Sequence, residues 1–151
     1  MSIEATLAEK GITLPAAPAP AANYVPFVQT GNLIFVSGQI SQDEGGLIKG
    51  RLGDGMSVED GAAAARRCGL SLIAQLKAAV GDLDRVRRVV KLTGFVNSTP
   101  DFTDQPKVIN GCSDLMVEVF GDKGKHSRAA VGVSSLPRNA AVEVDAVFEV
   151  L

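Results

Sequence analysis

The stretch Val142 to Val150 constrains the fold most. Val142, Val144, Ala146, Phe148 and Val150 are apolar and alternate with Glu143, Asp145 and Glu149. Side chains switch faces at every residue of a strand, so this run reads as a strand with one face in a core and three carboxylates on the other. Upstream, residues 128–133 form a second β-type run, and Ser134 to Asn139 between the two has the chemistry of a turn. Strand, turn, strand is the expectation, a hairpin that brings Arg128 onto the carboxylate face opposite Glu143 or Asp145. A one-residue slip in register would undo that pairing.

The rest of the chain fits around this unit. Ser2 can cap a short helix, Ile3 to about Lys10, that Gly11 ends, and it reads as an appendage. Residues 14–22 are almost only Pro and Ala, which suits an extended strap. Runs at 24–30 and 33–37 are β-type, and Gly31-Asn32 between them can close a tight hairpin. A third short strand is expected over 47–51. From Ser57 to Val80 apolar residues recur every three or four positions (Val58, Ala62, Ala65, Gly69, Leu72, Leu76, Ala79), so an amphipathic helix is expected, started by Ser57 and stopped by Gly81. A strand over 86–96 and a second helix from Asp104 and Pro106 to Phe120 follow, with Gly121 ending the helix. The order places two main helices on one face of a mixed sheet, an α+β domain at 23–151 preceded by the helix and strap of 1–22.

Composition narrows the function. At 151 residues and 46% hydrophobic, the chain is sized for one domain with a real core. A net charge of −2 offers no overall basic footprint for a nucleic-acid backbone. Cys68 and Cys112 show no paired spacing and read as buried free thiols of a reducing compartment; without a long apolar run or a leader pattern, the expectation is a cytoplasmic protein that engages no membrane.

Little in the chain can do chemistry. With one histidine and two distant cysteines, no metal-ligand spacing is present, and no glycine-rich phosphate loop marks a nucleotide cofactor. His126 reads as a loop residue without a catalytic task. The arginine with its carboxylates remains: a guanidinium is a planar fork that matches a carboxylate at two points, so Arg128 is either a clamp for a small acid or the partner of Glu143 or Asp145 in an internal salt bridge.

Several of these residues also resemble a known family. Arg128, the Leu136-Pro137 pair and Glu143 stand at the spacing of the C-terminal signature of the RidA/YjgF family of small trimeric imine deaminases. Tyr24, the segment from Gly31 to Ile40, Phe95-Val96-Asn97 and Asp101-Phe102 are similar to that family in the same order. The resemblance implies a chorismate-mutase-like (YjgF/RidA-like) fold, a homotrimer with a barrel-like core and sites between subunits. It further implies hydrolysis of 2-imino acids, formed from enamines such as 2-aminoacrylate, to 2-keto acids and ammonia with no cofactor. Arg128 would bind the substrate carboxylate, Glu143 would position or polarise the water, and Tyr24, Ser37, Gly38 and Asn110 would line the pocket.

The chain also departs from the family. Ala130 stands where many relatives have Cys, Gly132 where they have Glu, and Asn23 where Pro is usual, which points to a divergent branch with a roomier or differently polar pocket. Two other readings remain: a non-catalytic trimer that binds small carboxylates, and the endoribonuclease label attached to the family.

Overall fold

Ser57 accepts a hydrogen bond from the Asp60 amide and so starts α2, Val58–Val80, with Glu59 and Asp60 at the positive end of its dipole. Gly81 ends it at φ 79°, a geometry open to glycine. The second main helix, α3, runs Gln105–Phe120 with Pro106 in its first turn and Gly121 beyond its end. Both follow the sequence expectation. The computed structural model describes residues 1–19 and 23–151, so the last three residues of the expected strap, 20–22, lie outside it.

A short helix α1, Ile3–Glu9, precedes seven strands: β1 Phe27–Thr30, β2 Leu33–Ile40, β3 Gln42–Asp43, β4 Gly46–Leu47, β5 Val86–Asn97, β6 Ser127–Val133 and β7 Val142–Val150. Five of them make one sheet in the order β1-β2-β7-β5-β6. The β5–β6 pair is parallel and the others are antiparallel, so the sheet is mixed. Helices α2 and α3 pack on each other and on one face of it. The apolar row of β7 faces them and is buried, together with Leu72 and Leu76 of α2 and Ile109 and Leu115 of α3. This is the α+β architecture expected.

The two helices cross closely because glycines sit at the contact. A Cβ on Gly111 would fall on the Ala62 carbonyl, and one on Gly69 would meet the Leu115 side chain at 2.8 Å. Cys68 and Cys112 are buried free thiols in this layer. Burial pushes both up, Cys112 to about 12, so neither is a nucleophile near neutral pH.

Several expectations are corrected. β6 and β7 do not form a hairpin, because β5 lies between them and pairs with both. The turn residues instead form a single 3-10 turn, Pro137–Asn139, with Arg138 and Asn139 at φ 57° and 63°, which carries the chain past the end of β5. Arg128 lies beside Leu92, and Leu92 beside Ala146, so Arg128 belongs to the helix-facing row and not to the carboxylate face. The third strand is two residues long, β4, paired with β3; Lys49 makes only an isolated bridge to Ala140.

Helix α1 is no appendage. Leu7 is buried in the core, Ile3 N donates to Asp84 Oδ1 at 2.7 Å, and Leu83 N donates to Glu4 Oε1 at 3.1 Å. The strap after it packs Ile12 and Leu14 against the core and accepts a hydrogen bond from Gln75 Nε2 at the Pro18 carbonyl, 2.6 Å away. Part of α2 is therefore covered on both sides: every residue from Leu70 to Leu76 is buried, where an amphipathic stripe was expected. Among the described residues no helix is long and apolar enough to cross a membrane.

Candidate functional site

The first group of side chains forms around a bulge. β2 pairs with β7 in one register up to Val36 and in a shifted one from Gln39, so Ser37 and Gly38 are the irregular residues. Ser37 is fixed twice to the chain before β1: its amide donates to the Pro26 carbonyl at 2.9 Å and its hydroxyl to the Val25 carbonyl at 2.8 Å. With its proton committed, that hydroxyl offers lone pairs to a ligand. Glu143 lies directly over Gly38, where a Cβ would fall on the carboxylate, so glycine leaves room for Glu143 in its present position and a larger residue would push that side chain aside. Tyr24, Ser37, Gly38, Gln39, Arg138 and Glu143 line one cleft of about 540 Å³.

The electrostatics of this cleft follow from its wall. Burial raises Glu143 above the ordinary carboxylate range, and the charge of Asp145 two residues on adds to the shift. Burial also raises Asp145, against the opposing effects of a Thr93 hydrogen bond and Lys91. Glu143 forms no ion pair among the described residues. It is a half-buried carboxylate facing a cavity that Arg138 also lines, with no ion-pair partner among the described residues.

The second group lies on the other face, between β6 and α3. Arg128 Nη1 donates to Asn110 Oδ1 at 2.8 Å and to Ser113 Oγ at 3.1 Å. Ser113 Oγ is 2.9 Å from His126 Nε2, and His126 Nδ1 is 2.6 Å from the Gly124 carbonyl. Arg128 has no carboxylate partner among the described residues, so the internal salt bridge to Glu143 or Asp145 is absent from this fold. Strand spacing and rise put the Arg128 and Glu143 Cα atoms roughly 14 Å apart, with side chains on opposite faces.

The six expected residues thus divide into two sets. Tyr24, Ser37, Gly38 and Glu143 share the cleft, while Arg128 and Asn110 share the β6–α3 cluster. Sequence reasoning missed Ser113, Gln39 and Arg138, and gave His126 no task. Two of these had a signal. Ser113 is three residues after Asn110 on one helix, and His126 is two before Arg128 on one chain face, so each could have been placed beside its neighbour. Arg138 depends on a positive φ that the local sequence did not announce.

Comparison with known proteins defines the class. The chain belongs to the family described as "YjgF/chorismate mutase-like, putative endoribonuclease", whose model matches residues 4–150. Protein TCP17 of Trypanosoma cruzi is 55% identical over 149 residues, covering 97% of this chain and 93% of that one. A solved structure from Shewanella oneidensis that bears the same endoribonuclease description superposes with a TM-score of 0.95 at 35% identity, covering 99% of this chain and 100% of that one. A more distant relative from Dermatophagoides farinae, named 2-iminobutanoate/2-iminopropanoate deaminase, is 29% identical over 138 residues, with 90% and 92% of the two chains covered.

Proposed function

We propose that this protein hydrolyses 2-imino acids to 2-keto acids and ammonia, at sites formed where two protomers of a homotrimer meet. The observation that supports this best is the division of polar groups between the two sheet faces. Among the described residues, one face has a guanidinium with donors left over and no paired carboxylate, and the other has a cleft with a carboxylate and no paired cation. A substrate that bears a carboxylate next to an electrophilic carbon needs both, and copies of the chain packed face to edge can supply both.

Each group has a task that its surroundings suit. Nη2 and Nε of Arg128 would take the substrate carboxylate at two points and so orient the imine carbon. Glu143, a stronger base than an ordinary carboxylate because of its burial, would take a proton from water as the oxygen bonds to the imine carbon. It would return that proton to nitrogen to give a carbinolamine. It would then take the hydroxyl proton and pass it to nitrogen as the carbon–oxygen double bond forms and the carbon–nitrogen bond breaks, which releases ammonia and leaves the keto acid. Tyr24, Ser37, Gly38 and Asn110 would line this site, and no step requires a cofactor. The endoribonuclease description has less support, since the chain is acidic overall and its single histidine is engaged by Ser113 and Gly124.

The test is to generate 2-iminobutanoate in situ from an amino acid with its oxidase, and to measure keto-acid and ammonia release with and without the protein. Acceleration is expected from the native chain, with a loss of roughly ten- to a hundred-fold for Arg128→Lys, which keeps the charge without the fork. A panel of imino acids that are all left unaccelerated, while 2-oxobutanoate still binds, would replace this reading with that of a carboxylate binder.

A further inference from the structure

We propose that Ser113 and His126 are positioning residues that set the orientation of the Arg128 fork, a deepening that rests on the reading of Arg128 as a carboxylate clamp. The direction of every hydrogen bond in the chain follows from its last member. The Gly124 carbonyl can only accept, so the proton of the neutral ring is on His126 Nδ1 at 2.6 Å from it. Nε2 then has a lone pair, and the Ser113 hydroxyl 2.9 Å away must donate to it. A serine that has given up its proton presents only lone pairs to its other neighbour. That neighbour is Arg128 Nη1, which donates to Ser113 Oγ at 3.1 Å and uses its second proton on Asn110 Oδ1 at 2.8 Å.

The consequence concerns the edge left over. Both protons of Nη1 are consumed within the protein, so the edge formed by Nη2 and Nε is the one presented to a ligand carboxylate. Without the imidazole acceptor, the Ser113 hydroxyl is free to turn its proton toward the guanidinium, and Nη1 loses one of its two anchors. The histidine, two residues before the arginine, therefore acts through a serine on a different element, α3. Its role is to hold the guanidinium without touching the substrate.

A pair of substitutions separates this role from simple anchoring of the loop. The carbonyl of Gln reaches about as far as Nε2, so His126→Gln can accept from Ser113. Asn reaches only as far as Nδ1, so His126→Asn can satisfy Gly124 but not Ser113. If the relay operates, His126→Gln keeps the affinity for 2-oxobutanoate and the KM for 2-iminobutanoate within about threefold of native, while His126→Asn weakens both by roughly tenfold with a smaller change in kcat. Ser113→Ala should behave as His126→Asn does, and nitrogen-15 resonances of the native ring should place the proton on Nδ1. Equal affinities in the two His126 variants, a better result for Asn than for Gln, or a proton on Nε2 would overturn the relay. Failure of imine hydrolysis alone would count against the deaminase reading, because the affinity for 2-oxobutanoate still reports on the fork.

Discussion

Glu143 is held in a state that serves a proton acceptor better than it serves the fold. Burial and the nearby Asp145 raise its pKa, so between the ordinary carboxylate value and the raised one the native state keeps a proton that the unfolded chain releases. The contribution to stability is therefore full at low pH, declines as pH rises through that window, and stays lost above it. Glu143→Gln removes the charge at every pH and also relieves Asp145 of a like-charged neighbour. Thermal midpoints measured from about pH 3.5 to 8 should show the variant near native at the acid end and increasingly more stable above it, while imine hydrolysis falls by at least about a hundredfold. A variant less stable than native at neutral pH would mean that Glu143 is an ion-paired strut, contrary to its solitary place in the cleft.

At the scale of elements, capping and periodicity were readable and strand order was not. Ser57, Gly81, Pro106 and Gly121 act within one helical turn of themselves, so local chemistry alone placed α2 and α3. The alternation in β7 was likewise legible because it is a property of one strand. Whether β6 turns back onto β7 or crosses past β5 depends on which strand buries more apolar surface, and Ser134 to Asn139 is compatible with either. The error in topology then moved Arg128 to the wrong face, which is why Arg128 and Glu143, expected side by side, lie on opposite faces of the sheet. The α2–α3 crossing offers a test at this scale. Gly111→Ala would drive a Cβ into the Ala62 backbone carbonyl, which has no rotamer to give way, whereas Gly69→Ala meets the flexible end of Leu115. Alanine gains about 1 kcal/mol over glycine in a helix interior, so Gly69→Ala should be close to neutral. Gly111→Ala should lose about 1–3 kcal/mol in denaturant unfolding despite that gain, and a more harmful Gly69→Ala would refute the close crossing.

For the whole molecule, the decisive feature is a sheet covered on one side only. On the face away from the helices Val28 neighbours Phe35, Phe35 neighbours Val147, and Phe95 neighbours Val131. Val28, Phe35 and Val131 are 53%, 43% and 45% exposed, so that face has two apolar patches, with Lys91, Thr93 and Asp145 between them, that another copy of the chain would cover. The sheet also stands between Arg128 and Glu143, so a site that uses both needs two protomers. Light scattering should return three times the chain mass of 15.7 kDa, and Phe35→Asp should give a folded, inactive monomer. The arrangement of the site itself is tested by mixing subunits. Arg128→Ala and Glu143→Gln should each be inactive alone. In trimers reassembled from equal amounts of the two, about a quarter of the interfaces join a native Arg128 half to a native Glu143 half, because each half is native in one subunit of two and the contact in a ring is head to tail. Imine hydrolysis should then return to about a quarter of native. If reassembled mixtures stay inactive although mass measurement shows mixed trimers, the two residues do not meet across an interface and the intersubunit site is wrong.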